Sequence, residues 1–211
     1  MYRAALFDLD GTLQDSEIVW VRATRDYVRD HGYPMTDDEA LKTVYGRSWT
    51  NMYQDIVRFV PALASVSTFE MADLVRDYYT RLVAGADIAI PGSVALFRRL
   101  ARTMQVAIVS GSPRTDIANA VRDLGLADAI SFFIGAEEYG NGKPDPTCYL
   151  MGAERAGVDP SECVVFEDAT AGLLAAKRAG MHAVALRIPG RPAQDLSAAD
   201  EVLDDLAGWQ G

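Results

Sequence analysis

The 211-residue sequence predicts an α/β fold, a Rossmann-like doubly wound parallel sheet core with an inserted α-helical cap domain. Three observations point there. Short, wholly apolar runs such as 4–7 and 106–109 have the composition of parallel strands covered on both faces. From Pro91 onward, such runs alternate with helix-patterned segments set apart by turn residues. Residues 8–105 separate the first two runs, whereas a β-α-β crossover needs only about a dozen residues.

The elements follow in order. Residues 4–7 (Ala-Ala-Leu-Phe) form the first strand, which runs into Asp8-Leu9-Asp10-Gly11-Thr12-Leu13. Side chains at i and i+2 of an extended chain leave on one side, so Asp8 and Asp10 aim at one point. Ser16 is placed to cap a helix running to about Asp30, ahead of His31-Gly32-Tyr33-Pro34. Thr36-x-x-Glu39 and Ser67-x-x-Glu70 both spell capping boxes. Trp49, Met52, Tyr53, Ile56, Val57 and Val60 recur at helical spacing, as do Met71, Leu74, Val75, Tyr78, Tyr79, Leu82 and Val83. These stripes read as helix–helix core rather than as a ligand box. Linkers near 12–15 and 84–89 join this bundle to the rest and permit a lid motion over the aspartate pair. The domain reading is therefore a catalytic core of residues 1–14 and 88–211, with a helical cap domain at 15–87.

Beyond the insertion, a helix is expected at about 92–103 and a strand at 106–110. Ser112-Pro113 supplies an N-cap and a first-position proline for the next helix. Strand 131–134, a glycine-rich loop at 135–144 and a helix opened by Asp145-Pro146 come next. Strand 163–166, helix 169–179 and strand 183–187 complete the alternation, and Val202-Leu203 reads as a short edge strand.

The formal net charge of −10 argues against a nucleic-acid or anionic-membrane partner, either of which calls for a basic surface. It leaves a phosphate substrate open, since a small site needs only local cations. Cys148 and Cys163 stand alone and read as buried thiols in a reducing compartment. No apolar run approaches the roughly 20 residues of a membrane helix, and no secretory signal pattern is present. A cytoplasmic monomer is the expectation. The sequence lacks G-x-x-x-x-G-K-[ST], G-x-G-x-x-G and G-x-S-x-G, which removes a P-loop enzyme, a dinucleotide enzyme and a serine hydrolase built on that elbow. Two separated histidines and two separated cysteines do not make a zinc site, and Arg22, Arg25 and Arg29 form a solvent-facing stripe.

In open α/β sheets, ligands bind beyond the carboxyl ends of the strands. There the sequence places Asp8 and Asp10, then Ser110-Gly111-Ser112, then Lys143 between Gly142 and Pro144, then Glu167-Asp168. Asp8, Asp168 and the Asp10 main-chain carbonyl suit Mg²⁺, which takes few carboxylates alongside water and phosphate oxygens. Ser110, the Gly111 amide and the helix start at Pro113 suit an anionic phosphate, while Ser112 is expected only to cap that helix. A carboxylate meeting a phosphate anion at about 3 Å is repelled by roughly 5 kcal/mol per unit pair at an effective dielectric near 20. Attack by Asp8 therefore needs Mg²⁺ and Lys143 as counter-charge, with Asp10 placed to move the proton.

Phe7-Asp8-Leu9-Asp10-Gly11-Thr12-Leu13, with Asp15-Ser16-Glu17 after it, resembles the first signature of the haloacid dehalogenase superfamily of aspartyl-phosphate hydrolases. Ser110 after an apolar strand resembles the second and Gly142-Lys143-Pro144 the third. Phe166-Glu167-Asp168-Ala169-Thr170-Ala171-Gly172, leading into residues 175–181, resembles the fourth. The resemblance implies a Rossmann-like core with a helical cap inserted after the first strand. It further implies Asp8 as nucleophile, Asp10 as general acid/base, Ser110 and Lys143 as phosphate partners, Asp168 as Mg²⁺ ligand and Glu167 acting on the metal through water. Dehalogenases of the superfamily lack the second aspartate, so Asp10 favours phosphoryl chemistry. The nearest branch is the β-phosphoglucomutase-like group, whose mutases carry a histidine where Trp20 stands here. Gly46-Arg47 resembles the cap loop that meets the far end of the substrate, which makes Arg47 a substrate-binding candidate. The expected activity is a Mg²⁺-dependent phosphatase acting on a small phosphorylated metabolite. A sugar-phosphate mutase is the alternative, and a non-catalytic phospho-acceptor the third reading.

Overall fold

The computed structural model describes residues 1–45, 49–84, 86–191 and 193–211. Ala4–Phe7 (β1) is buried along its whole length and takes a strand on each side. Gln105–Val109 (β2) pairs with one edge and Cys163–Glu167 (β4) with the other, both parallel. Phe132–Ile134 (β3) adds beyond β2, while His182–Leu186 (β5) and Glu201–Leu203 (β6) add beyond β4. The sheet of the described residues is thus parallel throughout, in the order β3-β2-β1-β4-β5-β6. The order reverses between β1 and β4, which is the crevice where doubly wound sheets hold their ligands.

Alternation along the strands builds two apolar layers. Ala4, Leu6, Ala107, Val109 and Val165 face one side, covered by Thr147–Ala156 (α7) and Thr170–Arg178 (α8). Ala5, Phe7, Ile108, Val164 and Phe166 face the other, covered by Pro91–Leu100 (α5) and Arg114–Asp123 (α6). Phe7 stacks on Phe166 at 4.4 Å between ring centroids and packs on Phe97 at 5.1 Å. α7 approaches the sheet closely at Gly152, where a Cβ would lie 2.8 Å from Leu6 Cδ1. Past β3, Glu138 accepts from the Gly135 amide (3.0 Å) and from Arg155 (3.0 Å), and pairs with Arg114. Burial pushes the Glu138 carboxyl up, but the amide and the two guanidinium groups outweigh it and hold the pKa at about 2.

The described residues separate into two compact units, Met1–Gln14 with Ala89–Gly211, and Asp15–Ile88. The second holds Ser16–Asp30 (α1), Asp37–Val44 (α2), Trp49–Phe59 (α3) and Thr68–Val83 (α4), around a core that includes Tyr27, Met35, Ile56, Met71 and Val75. Trp20 stacks on Tyr79 at 4.3 Å within that core's margin. No described helix is long and apolar enough to cross a membrane.

Several expected boundaries move. Thr36 and Glu39 form the full reciprocal box, and Ser67 accepts from the Glu70 amide at 3.2 Å. Ser16 is instead the first helical residue of α1, with Asp15 at the N-cap position. Ser112 does not cap α6: the N-cap position falls to Pro113, and the Ser112 hydroxyl is drawn away by a carboxylate described below. Asp145 does accept from the Thr147 amide (2.9 Å), one residue further from the helix than expected, because Pro146 remains outside α7. α5 ends at Leu100, and residues 101–103 close it with turn hydrogen bonds. Cys148 and Cys163 are buried free thiols, each pushed up to about 11 by burial.

Candidate active site

The β1–β4 register sets the geometry of the site. Phe7 lies opposite Phe166, and the Asp8 amide donates to the Phe166 carbonyl at 2.9 Å. One residue further, Asp8 and Glu167 emerge side by side on the face covered by α7, and both are buried. The Lys143 ammonium sits between them, 2.5 Å from Asp8 Oδ1 and 2.6 Å from Glu167 Oε1, and also donates to the Val109 carbonyl at 3.1 Å. Burial works against the ammonium, but the charges of Asp8 and Glu167 outweigh it and hold its pKa well above the ordinary lysine value. Burial also pushes the Asp8 carboxyl well above the usual carboxylate range; Lys143 opposes this, and Glu167, Asp168 and Asp10 add to it.

Glu167 is tied on both carboxylate oxygens. Its Oε1 accepts from Lys143 and from the Tyr149 hydroxyl (2.9 Å), and its Oε2 accepts from the Asp168 and Ala169 amides (both 3.2 Å). Two glycines make room for these carboxylates. A Cβ at Gly172 would lie 1.7 Å from Glu167 Oε1, and one at Gly11 would lie 2.2 Å from Asp168 Oδ2. Gly11 also holds φ at +87°, a conformation glycine adopts without the Cβ penalty.

Asp10 has different surroundings. Its Oδ1 accepts from Gln14 Nε2 at 2.9 Å and its Oδ2 from the Ser112 hydroxyl at 2.7 Å. Ser110 is buried where β2 ends; its Oγ accepts from the Ser112 amide at 3.0 Å and its carbonyl from the Tyr139 hydroxyl at 2.8 Å.

These groups line one cavity of about 210 Å³, with Asp8, Asp10, Ser110, Gly111, Lys143, Glu167 and Asp168 on its wall. The structure thus brings together all of the site residues expected from the sequence except Arg47, which lies outside the described residues. It adds Ser112 to the wall, with Gln14, Tyr149 and Tyr139 as hydrogen-bond partners of the lining groups. No local pattern in the sequence marks Gln14, which follows Asp10 by four residues, and Tyr149 and Tyr139 likewise meet the site through the fold.

Ligand oxygens of Asp8, Glu167 and Asp168 lie within 4.8 Å of one another, an all-carboxylate set suited to a hard divalent cation. Among the described residues four carboxylates and one ammonium share the wall, so an anionic substrate meets net negative charge from them unless a cation is bound. Charge balance and donor chemistry both fit a metal ion.

A family model described as haloacid dehalogenase-like hydrolase matches residues 2–180. The chain is 36% identical over 207 residues to the validoxylamine A 7'-phosphate phosphatase of Streptomyces hygroscopicus subsp. limoneus, spanning 98% of this chain and 95% of that protein. It is 31% identical over 201 residues to hexitol phosphatase A of Escherichia coli (strain K12), spanning 95% and 90%. A solved Thermotoga maritima structure, provisionally named a beta-phosphoglucomutase, superposes with a TM-score of 0.82 at 26% identity, covering 95% of this chain and 94% of that one. The matched span carries β1 through α8, and with them every acid on the cavity wall; the chain belongs to the haloacid dehalogenase-like hydrolases.

Proposed function

We propose that this enzyme is a Mg²⁺-dependent phosphatase that hydrolyses a small phosphorylated metabolite, a sugar or polyol phosphate, through an aspartyl-phosphate on Asp8. The observation that carries the reading is the division of labour between the two strand-end aspartates. Asp8 is paired with Lys143, whereas Asp10 accepts from the Gln14 amide and the Ser112 hydroxyl. The phosphatase names of two relatives that align over nearly the whole chain support it.

In this mechanism an Asp8 oxygen attacks phosphorus, and the Asp8–phosphorus bond forms as the bond to the ester oxygen breaks. Asp10 gives its proton to that oxygen, releasing the alcohol. Asp10, now a carboxylate, takes a proton from water as the water oxygen attacks the same phosphorus, which frees phosphate and restores Asp8. The Ser110 hydroxyl and the Gly111 amide bind phosphate oxygens, and Lys143 neutralises part of the charge at Asp8. Asp8, Asp168 and the Asp10 carbonyl would hold Mg²⁺, with Glu167 in the same acidic group, and the bound ion supplies the positive charge that a phosphate needs in this acidic cavity. Arg47 is proposed to meet the far end of the substrate, and residues 15–87 to act as a cap domain.

A mutase is the second reading, favoured by the likeness to the Thermotoga structure. Against it stands Trp20, whose indole is committed to stacking on Tyr79. A panel of hexitol and sugar phosphates with Mg²⁺, scored for free phosphate and for isomerised sugar phosphate, separates the two. The native protein is expected to release phosphate, and Asp8→Asn to lose at least about a thousandfold in kcat with its melting temperature kept. Retained turnover in Asp8→Asn refutes the assignment.

A further inference from the structure

Gln14 is polar yet only 9% exposed. Its main chain is held in place: its amide donates to Leu9 (3.1 Å), its carbonyl accepts from Gly11 (2.8 Å), and it forms β-bridges with Asp10 and Ala89. From that anchored position its carboxamide reaches Asp10 Oδ1. An apolar side chain would fill the same buried space at a lower desolvation cost, so packing alone does not call for an amide here.

Gln14 and Ser112 are not equivalent as donors to Asp10. A carboxamide NH₂ can only donate, whereas a hydroxyl donates or accepts. They also differ in place: Ser112, on Oδ2, lines the cavity, and Gln14, on Oδ1, is not part of its wall. We propose that Gln14 is a positioning residue for the acid–base step. Its amide reserves Oδ1 as an acceptor throughout the cycle, so the proton exchanged with substrate and water is carried on Oδ2, the oxygen beside the cavity. The inference rests on the phosphatase reading above. In the first half-reaction the proton leaves Oδ2 for the ester oxygen as the phosphorus–ester bond breaks and the Asp8–phosphorus bond forms. In the second, Oδ2 takes a proton from the water whose oxygen attacks phosphorus. Without the amide, the proton can settle on Oδ1, on the side away from the substrate.

The test compares native protein with Gln14→Met, which keeps the length and removes the donor. Gln14→Leu is a second apolar replacement should the first fold poorly, with melting temperature as the control. Two substrates are used: p-nitrophenyl phosphate, whose leaving group needs no proton, and the alkyl phosphate of the panel that turns over fastest. In single turnovers with enzyme in excess, p-nitrophenol release is expected to stay within about twofold of native, while alcohol release from the alkyl phosphate falls by about 30-fold, within the range of general acid catalysis. Steady-state KM for the alkyl phosphate is expected to stay within about twofold while kcat falls. Equal losses on both substrates would mark Gln14 as merely structural and overturn the proposal, as would an unchanged kcat on the alkyl phosphate. If the native protein releases phosphate from no member of the panel, the phosphatase reading fails and the inference with it. Native turnover with unaffected Gln14 variants overturns the inference alone.

Discussion

Replacing Gly172 by alanine tests how tightly the acidic wall is built. The new Cβ would lie 1.7 Å from Glu167 Oε1, 1.9 Å from its Cδ and 2.4 Å from Oε2. Real contacts of a Cβ essentially never fall below 3.0 Å, so the carboxyl group or the first turn of α8 must give way by more than an ångström. Glu167 cannot move that far and still accept from Lys143 at 2.6 Å and Tyr149 at 2.9 Å. Hydrogen bonds to charged groups contribute about 1.5–3 kcal/mol each, and overpacking a buried site costs about 1–3 kcal/mol. With partial relaxation, a loss of about 3–5 kcal/mol is expected, which for a chain of this size lowers the melting temperature by roughly 10 °C. Because Lys143 also carries Asp8, its displacement is expected to cost about 100-fold in kcat. Gly208→Ala is the control, since a Cβ there meets nothing within 4 Å; a change within about 1 kcal/mol is expected. Thermal unfolding by circular dichroism and phosphate release read both effects. A Gly172→Ala protein that melts within about 2 °C of native and keeps full activity would refute the reasoning.

Glu138 makes stability depend on acid pH. Its carboxyl is held at about 2, against 4.5 for an ordinary glutamate. Its contribution is therefore complete above pH 4.5 and lost as pH falls from there towards 2. After allowance for solvent screening it amounts to about 1–2 kcal/mol. Urea midpoints are expected to separate native protein from Glu138→Gln at pH 6 and to converge near pH 2; a gap unchanged with pH would sink the assignment. Mg²⁺ is expected to raise the melting temperature, since binding at about 100 times Kd stabilises by about 2.7 kcal/mol, or roughly 5–10 °C here. Asp168→Asn should remove most of that shift, and an equal shift in both proteins would place the ion elsewhere.

Apolar runs marked β1, β2 and β4 to within a residue because the middle of a strand covered on both faces is apolar, with polar side chains only at the ends, such as Gln105 and Glu167. Asp8 and Glu167 were legible for the same reason: each is the first polar residue after such a run. Side-chain partnerships across the fold were not. Tyr149 reaches Glu167 only because α7 lies over β1 and β2, and no local pattern announces that. Ser112 read as a helix cap since Ser-Pro suits a first turn, but Asp10 competes for the same hydroxyl and wins. The need for glycine at 172 was equally hidden, because it depends on where a carboxylate five residues earlier turns its head.

Strand order also has a consequence for how the chain comes together. β1 is made first, yet Ala4 finds its partners at Gln105 and Cys163. During synthesis, four apolar residues at the centre of the future sheet must therefore wait for both neighbours, while Asp15–Ile88 can close contacts of its own as one continuous stretch. Contacts so distant in sequence are slow to form, and an unpaired apolar strand is open to wrong partners meanwhile. The segment that carries Asp8, the proposed nucleophile, is thus made before both of its neighbours and secured only after them, so pairing of the sheet and assembly of the candidate site wait on the same event, the arrival of β4.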